Sequence, residues 1–154
     1  MNKVCKDDVV LVISNSLHIP KSTVKSVIDA YLNRLRESLS KGETIKFLNI
    51  CYIVNSNTGR VYKETLAYIS SEIGTSLGIS GLVVLRILQT YEDNIAKDVC
   101  KFYTHSVKGI VRFKRIEYES GVYKLRLNKA TNLGSDFRVV TLNLFRRKVD
   151  SYDR

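Results

Sequence analysis

The chain has 154 residues, 44% of them apolar, 26% charged and only one a Pro. That composition fits one domain, or two small halves around a shared core, and excludes a long disordered linker or tail. No apolar stretch approaches the length of a membrane span and the start lacks the layout of a signal peptide, so a soluble, intracellular protein with no membrane partner is expected. The net charge of +10 is uneven: residues 1–60 carry nine Lys or Arg against five Asp or Glu, residues 61–108 five against five, and residues 109–154 eleven against five. A basic last third suits nucleic acid, an acidic protein neighbour or plain solubility.

The first element is a helix from about Asp7 to Leu17, with Asp7 and Asp8 at the positive end of its dipole. A break at His18-Ile19 leads to Pro20, which suits the first turn of a second helix running to about Ser40, and Gly42 stops it. Residues Thr44 to Val54, rich in β-branched and aromatic side chains, predict a strand. A turn over Asn55–Gly59 and a short returning strand at Arg60-Val61-Tyr62 follow.

The pattern then starts again. Val9, Ile13, Ser16, Leu17 and Ile19 recur sixty residues later as Ile69, Ile73, Ser76, Leu77 and Ile79. Val24, Val27, Ile28, Tyr31, Leu35 and Leu39 recur as Val84, Ile87, Leu88, Tyr91, Ile95 and Val99, each set lying on one helix face. The second break is Gly78-Ile79, with Ser80 as a ready N-cap. A unit that cannot bury its own apolar face buries it against its copy. The expectation is therefore an α+β pseudo-dimer, helical pairs packed on antiparallel sheet, with units 1–62 and 63–154. Its shared core is Val27, Tyr31, Leu35, Ile87, Tyr91 and Ile95. The second unit ends in strands Ile110–Tyr118 and Val122–Asn128 around a turn at Glu119-Ser120-Gly121. A loop over Lys129–Asp136 leads to a third strand, Phe137–Phe145, with Val140, Leu142 and Leu144 on one side. The basic cluster Arg146-Arg147-Lys148 comes next, and Val149–Arg154 is expected to be flexible.

Helix, short break, long helix, Gly-Glu and then sheet resembles the HU/IHF family of bacterial histone-like proteins. The resemblance is carried by Met1-Asn2-Lys3, by the turn Leu17-His18-Ile19-Pro20-Lys21 and by Lys41-Gly42-Glu43-Thr44-Ile45-Lys46-Phe47. It covers the first half directly and the second through the repeat. It implies an intertwined dimer whose sheets form a saddle on DNA, with two β-arms in the minor groove and a wedging Pro near each tip. The chain departs from that pattern. Asn49 and Cys51 stand at the family's strand glycines, only Thr58-Gly59-Arg60 resembles the arm tip, and neither Asn55–Gly59 nor Lys129–Asp136 holds a Pro. Kinking of the HU kind is not expected.

The chain is also similar to the arm-less HU/IHF-like proteins of tailed phages. That similarity implies a structural module in a virion ring or connector at the head–tail junction, assembled in the bacterial cytoplasm beside virion proteins or copies of itself. The alternative is an architectural double-stranded DNA-binding protein of cytoplasm and nucleoid. A third reading is an antagonist of a host HU dimer. The candidate partner- or DNA-binding residues are Arg60, Lys114, Arg115, Lys124, Arg126, Lys129, Arg146, Arg147 and Lys148.

Catalysis is not expected. The two histidines, His18 and His105, read as turn and junction residues, and no nucleophile elbow, phosphate loop or metal-ligand cluster is present. No cofactor, metal or small-molecule substrate is expected. Cys5, Cys51 and Cys100 form neither a CxxC pair nor a disulfide framework. Tyr31 and Tyr91 could stack on bases, but their helix face makes them core. Tyr103, Tyr118 and Tyr123 fit either base contact or strand propensity.

Overall fold

The computed structural model describes residues 3–57, 64–117, 121 and 123–153. Among them the chain is mixed α+β, with five helices and two sheets. Lys3–Val4 (β1) leads into helices Lys6–Leu17 (α1) and Lys21–Ser40 (α2), then strands Ile45–Phe47 (β2) and Cys51–Asn55 (β3). Helices Leu66–Leu77 (α3) and Gly81–Cys100 (α4) follow. Strands Thr104–Val107 (β4), Val111–Glu117 (β5), Tyr123–Lys129 (β6) and Phe137–Thr141 (β7) precede the last helix, Asn143–Ser151 (α5).

The two helical pairs match in length and in how each helix ends. Helices α1 and α3 are each 12 residues long, and α2 and α4 are each 20. His18 and Gly78 end the first helix of each unit in the left-handed region, at φ 56° and 72°. Gly42 and Phe102 do the same after the second helix, at φ 78° and 65°. A left-handed residue at this point lets backbone N–H groups cap the last helical carbonyls. Accordingly the Ile19 N–H donates to the Ser14 carbonyl at 3.2 Å and the Ile79 N–H to the Gly74 carbonyl at 2.9 Å. Ser80 caps α4 as its sequence position predicts, accepting from the Leu82 N–H, and Thr65 caps α3 in the same way.

Both apolar faces enter one core. Val27, Tyr31, Leu35, Ile87, Tyr91 and Ile95 are all buried in a single cluster that spans the two units. Phe47 sits at its centre, 6.2 Å from the Tyr31 ring, 6.4 Å from Tyr91 and 5.8 Å from Phe113. Each long helix also braces the other unit's hairpin. Glu92 of α4 accepts the Asn49 N–H in the β2–β3 turn at 2.8 Å, and Arg36 of α2 donates to the Lys108 carbonyl in the β4–β5 turn, also at 2.8 Å. These are reciprocal cross-braces, and they satisfy turn groups that strand pairing leaves open.

The sheets differ from the sequence reading in four ways. They are not wholly antiparallel, because β1 pairs in parallel with β4, Lys3 beside Thr104 and Val4 beside His105. Residues 44–54 are not one strand but a hairpin, broken where Leu48 turns at φ 48° and its N–H donates to the Tyr31 hydroxyl oxygen at 2.8 Å. The strand expected over Phe137–Phe145 ends at Thr141, and α5 begins. Phe145 and Val149, four apart, bury one helical stripe, whereas Leu144 is 60% exposed. The tail is held as far as Asp153, which ion-pairs with Arg115. Finally, β7 joins the first unit's hairpin, from Cys51↔Thr141 to Asn55↔Phe137, giving a sheet of order β2-β3-β7 beside one of order β1-β4-β5-β6. The expected strand Arg60–Tyr62, with Arg60 itself, and the residues Glu119-Ser120 of the second turn lie outside the described residues. No helix among those described is long and apolar enough to cross a membrane.

Candidate nucleic-acid interface

Strand alternation sorts the basic residues of β5 and β6 into two sets. Val111, Phe113 and Arg115 face the core with Leu125, while Arg112, Lys114 and Ile116 face outward with Lys124, Arg126 and Asn128. The register places Lys114 directly opposite Arg126, Arg112 opposite Asn128, and Ile116 opposite Lys124. Arg112, Lys114, Lys124 and Arg126 thus share one open sheet face, and none of the four forms an ion pair among the described residues. Arg112 belongs to this face although the sequence reading passed over it. Its signal was available, since Arg112 and Lys114 are two apart on one strand.

Arg115 is corrected from a surface contact to a structural cation. Only 9% exposed, it donates to Asp153 at 2.9 Å and to the Cys100 carbonyl at 3.2 Å, with its guanidinium 4.4 Å from the Tyr123 ring centroid and 5.3 Å from that of Phe102. The hydrogen bond from Arg115 holds the Asp153 carboxyl below the usual carboxylate range. Lys148 is likewise engaged, reaching Glu92 at 2.5 Å and Asp93 at 2.8 Å. Burial acts to lower its pKa, but hydrogen bonds to these two carboxylates outweigh that and raise it. Lys129 donates to the carbonyls of Gly134 and Phe137 at 2.6 and 2.8 Å, pinning the β6–β7 loop. Arg146 and Arg147 are exposed on α5. The nine sequence candidates therefore divide. Lys114, Lys124 and Arg126 stand together, Arg146 and Arg147 lie exposed on α5, Arg115, Lys129 and Lys148 hold the fold, and Arg60 is outside the description.

A broad groove adjoins the basic face where α2 meets the β4–β5 turn. Its volume is about 1070 Å³, and Lys6, Arg36, Lys108, Arg112 and Lys129 line it against one carboxylate, Asp29. The outer face of the other sheet is different in character. Lys46, Tyr52 and Val140 stand side by side there, as do Val54 and Arg138, so apolar groups alternate with cations. His105, read as a junction residue, lies buried in β4, and burial pushes its pKa down to about 4. The chain matches no protein-family model and no curated protein sequence.

Proposed function

We propose that this protein is a non-enzymatic, tandem HU/IHF-like module that binds double-stranded DNA without sequence preference through the outer face of β5 and β6. The observation that carries the reading is the like-charge pair Lys114–Arg126, directly opposed across two strands and flanked by Arg112 and Lys124. Like charges so opposed destabilise a sheet. A polyanion laid on that face relieves the repulsion and releases its own counterions. The absence of a Pro from either loop fits binding without a kink.

The test is fluorescence anisotropy of the whole chain on a duplex of roughly thirty base pairs across a salt series. Four phosphate contacts give a log–log slope of about −3 to −4. Flat anisotropy at near-physiological salt would remove the reading.

A second reading, a ring or connector component of a phage virion, is favoured by the other sheet. Tyr52, Val54 and Val140 form a partly exposed apolar strip, and a neighbouring virion protein or a copy of the chain would cover such a strip. It is tested by the oligomeric state in solution. A defined ring that Tyr52→Lys disrupts, with no DNA binding, would favour this reading over the first.

A further inference from the structure

We infer that the groove between α2 and the β4–β5 turn, together with a small cavity beside it, is a binding site for a small organic anion. The ligand class is a carboxylate or phosphate ester joined to a compact ring that carries a hydrogen-bonding atom. The site adjoins the duplex-facing cluster, with Arg112 at the shared edge, but Lys114, Lys124 and Arg126 do not line it.

Three observations point there. The first is the second cavity itself, of about 110 Å³, which shares Lys6, Arg36, Ser106, Val107 and Lys108 with the groove. Its remaining wall is apolar: Val4, Val9, Ile28 and Leu32, closed by Tyr91 and His105. A mostly apolar hollow with a few polar groups is the usual form of a small-molecule site.

The second is His105. It is 4% exposed, and neither ring nitrogen has a hydrogen-bond partner among the described residues; the nearest carboxylate oxygen, on Asp98, stands 4.0 Å away. Buried polar side chains are nearly always partnered, so two orphaned nitrogens on one ring call for an explanation. Packing does not supply one. The same position in the first unit, sixty residues earlier, is Ile45, fully buried in β2, so this fold accepts an aliphatic side chain there. A neutral imidazole offers one donor and one acceptor to whatever enters the cavity.

The third is charge. Lys6, Arg36 and Lys108 stand where groove and cavity meet; Lys6 is paired with the groove's one carboxylate, Asp29, which leaves Arg36 and Lys108 as the surplus positive charge. A ring seated against Val9, Ile28 and Leu32 would place an attached anion among these cations.

The probe is pyrazole-4-carboxylate, whose ring carries one N–H and one bare nitrogen to match the imidazole. Pyrazole serves as the ring without the anion, and inorganic phosphate as the anion without the ring. The readout is the imidazole resonances of His105 in the full chain. Pyrazole-4-carboxylate should shift them saturably, at lower concentration than pyrazole. Lys108→Ala should raise the half-saturation point by about tenfold, the effect of one charge-assisted contact. His105→Ile, which copies the first unit and should fold, is expected to abolish binding as read by backbone amides around the cavity. An unmoved His105 at millimolar probe would overturn the proposal. So would equal responses to phosphate and to the pyrazole acid that persist in His105→Ile, because binding would then be confined to the groove mouth.

Discussion

His105 occupies in β4 the place of Ile45 in β2, and its burial couples folding to pH. Burial holds the folded-state pKa at about 4, whereas the unfolded value is 6.5. Above 6.5 both states are neutral and nothing changes. As pH falls from 6.5 towards 4 the unfolded chain takes up a proton that the folded chain refuses, so stability declines through that window. A shift of this size corresponds to about 3 kcal/mol. Asp98 acts the other way, since burial raises its pKa and the folded state accepts that proton more readily at the acid end. Urea unfolding of the protein and of His105→Ile at a series of pH values separates the two. The substituted chain should lose the decline between 6.5 and 4, and an unchanged profile would mean that His105 is not the coupled group.

At the scale of elements, the two helical elbows show how one design tolerates different residues. In the first, the Ser14 hydroxyl donates to the Ile19 carbonyl at 2.6 Å. In the second, Gly74 stands at that place, and a Cβ there would lie 2.6 Å from the Ile79 carbonyl oxygen and 3.0 Å from the Gly81 nitrogen. Helices α3 and α4 therefore close on each other more tightly than any side chain at Gly74 permits. Gly78 is different, because a Cβ there would meet nothing within 4 Å and only its φ of +72° resists substitution. Gly78→Ala should cost about 1 kcal/mol, the ordinary penalty of a left-handed L-residue. Gly74→Ala should cost clearly more, since backbone has to move. Thermal unfolding of the two variants checks the order, and equal losses would show that the elbow yields without strain. The elements that were legible are those whose signals are local. The helices follow from period and caps, as at Ser80, and β6 follows from its alternation. The misread segment is Phe137–Phe145, where Val140, Leu142 and Leu144 alternate like a strand while Phe145 and Val149 keep helical spacing. No side-chain cap marks the start of α5, so nothing local decides between the two periods.

At the scale of the whole molecule, one core takes side chains from both helical pairs. Tyr31→Ala and Tyr91→Ala each remove a ring beside Phe47 and should each cost about 3–5 kcal/mol, in a single unfolding transition followed by circular dichroism. Two separate transitions would mean that the halves do not share one core. Distance along the chain is also why Arg115 and Lys148 read as open surface cations in the sequence. Arg115 meets Asp153 38 residues away and Lys148 meets Glu92 56 residues away, and no sequence window spans such partners. What composition did reveal is the surplus of cations in the last third, and Lys114, Lys124 and Arg126 remain open on the sheet after the structural pairs are set aside.

The cross-strand pair at the centre of that face sets stability against binding. Lys114 opposite Arg126 is unfavourable in the free protein, so Lys114→Glu should replace repulsion with an ion pair and stabilise the fold by about 0.2–1 kcal/mol. The same change removes a phosphate contact and should weaken duplex binding, lowering the salt slope by about 1. Unfolding and anisotropy on one preparation read both effects. A gain in stability with loss of affinity is the outcome expected of a binding face. A gain in stability with affinity untouched would mean that the duplex does not lie on these strands.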